Sequence, residues 1–192
     1  MSTTDSMLSR VAPSADPYLA PSMSLSNRAA RALWGVAYLL LVRPSPRPFH
    51  AWRRWVLRGF GAQLGPNCRI YAKAEVWAPW NLICADAVII ANGAIVYNPL
   101  PIRIGSHGVV SQQAFLCGAT HDMDDPAFPM VSSPITLGAY AWVCARATVC
   151  PGVNLGEGAV LGLGSVATRD IPPWAVHAGV PARFVRERKR TK

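Results

Sequence analysis

Acidic side chains are scarce in this chain: ten Asp and Glu stand against nineteen Lys and Arg, for a formal net charge of +9. Between Asp16 and Glu75 there is no acid at all, while nine Arg or Lys fall in that stretch, and the tail from Arg183 to Lys192 is also basic. Such charge suits a phosphorylated ligand, an anionic membrane surface or nucleic acid. Nucleic acid ranks last, because the chain has no recognition helix, zinc knuckle or aromatic RNA-binding signature. Charge of either sign is low, at 15% against about 25% in ordinary domains. An axis packed with aliphatics and a subunit interface together explain that deficit, so self-association is expected. The five cysteines form no CxxC pair. They read as small core or strand residues in a reducing compartment, and no metal is expected. The uninterrupted apolar stretch from Ala32 to Val42 has eleven residues, where a membrane span needs about twenty. Residues 1–25 are rich in Ser, Pro and Thr and carry no apolar signal region, so disorder and a cytoplasmic location are expected.

What the chain has is a repeat. From Leu137 it reads LGAYAW, VCARAT, VCPGVN, LGEGAV, LGLGSV, and the same six-residue phase runs back through IGSHGV, VSQQAF and LCGATH to LGPNCR, IYAKAE and VWAPWN at Leu64. Each block opens with an aliphatic residue and places a small one fifth. Self-similarity at six residues marks a parallel β-helix in which each block is one short strand and a corner. The aliphatic side chain fills the axis, and the small fifth residue fits where the chain turns.

Three blocks make a coil. Coil starts fall at Leu64, Cys84, Ile104, Leu137 and Leu155. The spacing assigns two extra residues to each of the first two coils, Leu82-Ile83 and Ile102-Arg103, and a long insertion over 121–134. Insertions in a solenoid gather on one edge and build its binding face. The protruding HDMDDPAFPMVSSP is therefore the expected seat of chemistry. The spacing gives a helical arm over 26–60, a β-helix over 61–172 and a C-terminal segment over 173–192. In the arm, residues 25–42 have helical character with Ser26 or Asn27 as N-cap, and a second helix is expected from about His50 to Arg58. The arm has two readings: a cap over the open N-terminal end of the coils, or a membrane-interface pair of Trp- and Arg-bearing helices.

The repeat, the loop opening with His and the ending TRDIPPWAVHAGVPARFVR together resemble the hexapeptide-repeat acetyltransferases. RPSPRPFHAWRRWVLRGFGA, WAPWNL, VYNPLPIRIG and THDMDDPAFP are similar to the colanic-acid-type exopolysaccharide branch. The resemblance implies an all-β, left-handed parallel β-helix of about five coils, normally a trimer with sites between subunits. It also implies acetyl transfer from acetyl-CoA, as co-substrate, to a saccharide hydroxyl, the acceptor in one version lipid-linked at the inner membrane face. Residue by residue, His121 matches the catalytic base, with direct attack on the thioester. Its imidazole is also the best base the chain offers. His50, His107 and His177 are poorly placed by comparison. Asp122, Asp124 or Asp125 is expected to orient His121 or meet the acceptor, and Asn98, one coil from the strand that leads to His121, either to orient the acceptor hydroxyl or to form the Asn-Pro turn that Asn98-Pro99 also spells. Trp142 matches a cofactor-channel tryptophan, and backbone bonding is implied at Ala145. Cys144 departs from the family's glycine between them. Arg169, Arg183 and Arg186 match basic positions that meet the CoA phosphates, whose charge their guanidiniums suit. Two competing readings are a γ-carbonic-anhydrase-type metal hydratase, which lacks a third coil histidine, and a non-catalytic scaffold.

Overall fold

The computed structural model describes residues 23–189. The segment expected to be disordered lies, up to residue 22, outside the described residues. The repeat blocks form strands of two or three residues, and they stack into three parallel faces. Face A holds Gln63–Leu64, Leu82–Cys84, Ile102–Ile104, Ile135–Leu137 and Asn154–Leu155. Face B holds Arg69–Ile70, Ile89–Ile90, Val109–Val110, Trp142–Val143, Val160–Leu161 and Ala175–Ala178, and closes with an antiparallel strand, Arg183–Glu187. Face C holds Glu75–Val76, Ile95–Tyr97, Phe115–Cys117, Thr148–Val149 and Val166–Ala167. The chain is an all-β, left-handed parallel β-helix, with five coils and the start of a sixth where Ile171 bridges to Leu155.

The six-residue rule follows from the interior. Leu64, Cys84, Ile104, Leu137 and Leu155 stack along one inner edge, and Ala74, Ala94, Ala114 and Ala147 along another, all buried. Coil contact also dictates the second-position glycine: a Cβ on Gly138 would lie 2.6 Å from the Glu157 nitrogen of the next coil.

All the insertions leave from the corner between faces C and A. Their placement corrects the spacing argument in one respect. Leu82-Ile83 and Ile102-Arg103 are strand residues in register with each other. The extra length is taken up just before them, in the turn Pro79–Asn81 and in 98–101.

The arm is two helices, α1 (Leu25–Ala37) and α2 (His50–Gly59), joined through a wider π turn at Tyr38–Val42. Ser24 is the N-cap, in place of Ser26 or Asn27, because its hydroxyl accepts the Asn27 N–H at 3.3 Å. The arm closes the end of the solenoid chemically as well as sterically. Bonds between coils run both ways: Gly65 donates to Cys84 and Arg69 to Val88 of the following coil, while Gly93 donates back to Lys73. First-coil carbonyls that point toward the arm have no preceding coil to bond, and an orphaned buried carbonyl costs free energy. Arg58 donates to the Leu64 carbonyl at 2.6 Å, Arg54 to Cys68 at 2.8 Å, Arg53 to Ile70 at 2.6 Å and the Trp34 indole to Val76 at 2.7 Å. Side chains that only donate suit this edge, which accounts for an arm rich in Arg and Trp and free of acids.

Candidate active site

The long insertion begins as an antiparallel ribbon, Ala119–His121 against Met130–Ser132, with His121 opposite Met130. At its tip Asp122 accepts the Asp124 N–H at 3.0 Å and Asp125 the Ala127 N–H at 2.8 Å. These are tight carboxylate-to-backbone turns. They set Phe128 at a φ of 45°, and its carbonyl meets His121 Nδ1 at 2.9 Å. The two rings stack at 4.6 Å and 8°. The expected carboxylate partner of His121 is thus replaced by a backbone carbonyl. Asp122 and Asp125 shape the loop that presents that carbonyl. An acceptor at Nδ1 fixes the proton there and leaves Nε2 with a lone pair, which is what a base requires.

Asn98 is fully buried, and both ends of its amide are spent. Its oxygen takes the Ala78 N–H at 2.9 Å and its nitrogen donates to the Ala78 carbonyl at 2.8 Å. It replaces a missing ladder bond at the widened corner, and the expected contact with an acceptor hydroxyl is corrected accordingly.

Trp142 stands outward on face B at 43% exposure, with its indole donating to the Ser111 hydroxyl at 2.8 Å. Ala145 turns the next corner, where its carbonyl accepts the Gly164 N–H at 3.0 Å, so its N–H is the group left for a ligand. Arg183 and Arg186 lie exposed on the closing strand, where among the described residues they donate to the Ala182 and Glu187 carbonyls. Ladder pairs run from Trp142 to Val160 to Val176 to Arg186, which puts Trp142 and Arg186 on one outward row. Arg169 belongs elsewhere. It projects from the corner between faces C and A, the corner that carries the His121 ribbon and the one opposite face B. The site residues therefore divide into two groups on opposite sides of one prism.

None of the family models searched matches the chain. A curated relative, the colanic acid biosynthesis acetyltransferase WcaF of Escherichia coli K12, is 33% identical over 160 residues, covering 83% of this chain and 88% of that protein. The chain belongs to the hexapeptide-repeat acetyltransferases. The galactoside O-acetyltransferase of Escherichia coli K12 is 48% identical over 58 residues, 30% of this chain and 29% of that one. Among solved structures, a Vibrio cholerae hexapeptide-repeat acetyltransferase complexed with acetyl coenzyme A superposes at a TM-score of 0.79, with 23% identity over 99% of this chain and 100% of that one. A galactoside acetyltransferase in complex with coenzyme A gives 0.78, with 24% identity over 87% and 84% of the two chains. At those identities the two structures speak for the fold.

Two features of this acetyltransferase escaped the sequence. Arg188 donates to the Tyr140 and Gly158 carbonyls at 2.8 and 3.0 Å, holding the C-terminal strand onto the coils. The second is a cavity of about 290 Å³ between α1 and face C, walled by Arg31, Tyr38, Glu75, Trp77 and Tyr97. Trp77 and Tyr97 meet edge to face at 5.4 Å, and the Arg31 guanidinium lies 4.3 Å over the Trp77 ring. The Arg31 Nε is buried with no hydrogen-bond partner among the described residues. Burial, with Glu75 adding to it, raises the Tyr38 phenol, and burial raises Tyr97, so both keep their protons. The Tyr97 hydroxyl lies 3.7 Å from the sulfur of Met130, the residue opposite His121. The cavity therefore adjoins the ribbon that carries the imidazole. Its signal in the sequence is the twenty-residue spacing of Trp77 and Tyr97, one coil of this solenoid. A broader, open groove of about 720 Å³ runs up face A past Ile83, Arg103 and Thr136, and no carboxylate or imidazole of the described residues lines it. Among the described residues no three His, Cys, Asp or Glu gather as metal ligands, and His107 stacks on Tyr140 at 4.8 Å.

Proposed function

We propose that this acetyltransferase moves an acetyl group from acetyl-CoA to a saccharide hydroxyl in exopolysaccharide biosynthesis. The observation that carries the reading is His121, exposed on the ribbon with Nδ1 engaged by the Phe128 carbonyl and Nε2 available. In this mechanism Nε2 takes the proton of the acceptor hydroxyl as its oxygen attacks the thioester carbonyl carbon. The tetrahedral adduct then collapses, the C–S bond breaks, and the imidazolium returns its proton to the departing thiolate. Direct attack is favoured over a cysteine intermediate, because burial raises the thiols of Cys117, Cys144 and Cys150 and a protonated thiol is a poor nucleophile.

The saccharide acceptor is carried over from the colanic acid and galactoside relatives. The aromatic cavity beside the ribbon supports it: a pyranose ring stacks on Trp77 or Tyr97 while its hydroxyls bond Glu75 and Arg31. Of the three loop acids, Asp124 is kept in this reading as an acceptor contact. Trp142, the Ala145 N–H, Arg183 and Arg186 would hold the donor along face B, with Arg169 supplied from the opposite corner. Because His121 and that row occupy opposite sides of one chain, a working site joins two copies, and a homotrimer is the assembly proposed. The free cysteines suit the cytoplasm.

Calorimetric titration with acetyl-CoA and dephospho-CoA tests the donor. Micromolar binding that weakens without the 3′-phosphate is expected. No heat at millimolar donor would remove acetyl-CoA and leave a scaffold in its place.

A further inference from the structure

The arm has two apolar faces, and the solenoid uses one. Trp34 and Ala37 of α1 are buried against the coils and α2, with Trp34 packed on Phe60 at 5.1 Å. On the other side of α1 and the π turn, Leu33, Val36, Leu39 and Leu40 are 64%, 57%, 56% and 64% exposed. An exposed apolar face continuous along α1 and the π turn calls for a partner surface. The surface continues onto α2, where Trp52 and Trp55 stack at 5.3 Å and 25°, Trp55 at 67% exposure. The Trp52 indole donates to the Leu41 carbonyl at 2.8 Å, which ties the indole pair to the leucines as one patch.

The charges around it have one sign. Arg53, Arg54 and Arg58 are committed to carbonyls of the arm and the first coil, whereas Arg28, Arg43 and Arg47 are exposed. No acid occurs in the sequence between Asp16 and Glu75 to balance them. A second copy pressed onto this face would bring two arginine rims together, and like charges oppose an isologous contact. Anionic headgroups complement the same rim, and exposed indoles beside arginines have the composition of a bilayer interface. No helix among the described residues is long and apolar enough to cross a membrane, so such contact is peripheral. We propose that the outer face of the arm, centred on Leu33, Leu40 and Trp55, docks the enzyme on an anionic phospholipid bilayer. This inference does not depend on the reaction assigned to His121.

The test is flotation of the full chain with phosphatidylglycerol–phosphatidylethanolamine vesicles, beside vesicles of phosphatidylcholine alone, with light scattering of each variant. The protein is expected to rise with the anionic vesicles at low salt and to stay down with the neutral ones. Arg43→Gln with Arg47→Gln is expected to partition about thirtyfold more weakly. Leu33→Asp with Leu40→Asp is expected to abolish flotation at unchanged oligomer mass. Wild-type protein that stays down with anionic vesicles overturns the proposal, as does equal partitioning of the arginine variant. A change of oligomer mass in the leucine variant would reassign the face to a second copy.

Discussion

His121 Nδ1 is held by the carbonyl of Phe128, seven residues along the same loop, and not by a carboxylate. The base and the group that orients it therefore share one ribbon, and the loop acids act on the imidazole through the backbone. His121→Ala is expected to lower kcat by about 10²- to 10⁴-fold while acetyl-CoA binding and oligomer mass stay unchanged. Asp122→Asn retains an oxygen for the Asp124 N–H and is expected to keep kcat within about threefold. Steady-state kinetics on both variants decides the matter. A large loss in Asp122→Asn would return the orienting role to a carboxylate.

Trp142 and Arg186 stand on one outward row of face B. If that row holds the donor, removing charge at Arg186 affects the phosphate end of the ligand. Arg186→Gln is expected to weaken acetyl-CoA binding about tenfold. The loss should shrink for dephospho-CoA when the two are titrated side by side. An equal loss for both ligands would take Arg186 away from the 3′-phosphate.

The cavity beside the ribbon makes a prediction that separates acceptor from donor. Trp77→Ala removes the platform under Arg31 and the neighbour of Tyr97. It is expected to raise the acceptor KM about tenfold or more, in line with one stacked aromatic contact, and to leave the dissociation constant for acetyl-CoA unchanged. An unchanged acceptor KM would empty the cavity of its role.

The repeat made most of this architecture legible. Six-residue blocks fixed the strands, the coil starts and the corner from which every insertion leaves, because each block must place one aliphatic residue on the axis and one small residue at a turn. The ribbon that carries His121 was legible for a related reason: a long loop on a tight ladder stands out. Asn98 misled because an Asn-Pro step one coil from the loop reads equally well as a site or as a structural amide. Its two bonds to Ala78 depend on the widened corner, and spacing alone does not reveal that. Arg53, Arg54 and Arg58 left two readings open, a cap and an interfacial pair of helices. Their sequence pattern with Trp52 and Trp55 is that of an interfacial helix, while in the fold the arginines face carbonyls and the indoles face outward. The aromatic cavity combines α1 with two coils, a juxtaposition that no local pattern contains.

Acid should begin to weaken the fold as the pH falls below about 6.5, the ordinary histidine value. Burial holds the His50 imidazole below its ordinary pKa of 6.5, outweighing the hydrogen bond to the Ile70 carbonyl that raises it, with the charge of Arg53 adding a smaller downward push; burial lowers His177 as well. The unfolded chain then binds more protons than the folded one between the depressed values and 6.5, so stability rises with pH through that window and falls as the pH drops below it. Asp86, which Asn67 holds below its ordinary 3.8, acts in the same direction at far lower pH. Urea midpoints are expected to be lower at about pH 5.5 than at about pH 8, with the difference reduced in His50→Gln. Identical midpoints across that range would mean both rings titrate alike in the two states.

The cap over the first coil gives the largest expected loss of stability. Arg53 is fully buried. It places Nε on the Ile70 carbonyl, Nη1 on the Ser45 hydroxyl and the Pro46 carbonyl, and Nη2 on the Arg47 carbonyl and the His50 ring. Four of its donors, fixed in a plane, meet acceptors contributed by the inter-helix turn and the first coil, and Nη2 also lies beside the His50 ring, whose Nδ1 donates to the Ile70 carbonyl. A lysine has three donors on one atom and cannot span that set. Arg53→Lys therefore strands two or more buried acceptors, and each costs about 1–3 kcal/mol. Arg53→Met strands all of them but removes the cost of burying a charge. Both variants are expected to lose roughly 3 kcal/mol or more in urea unfolding, with the far-UV signature of the coils intact before the transition. Arg58 bonds the part-buried Leu64 carbonyl and, at 3.4 Å, the exposed Gly65 carbonyl, and Arg58→Met is expected to lose about 1 kcal/mol. If Arg53→Lys unfolded at the wild-type midpoint, the first-coil carbonyls would be satisfied by water, and the arm would serve as a steric cover alone.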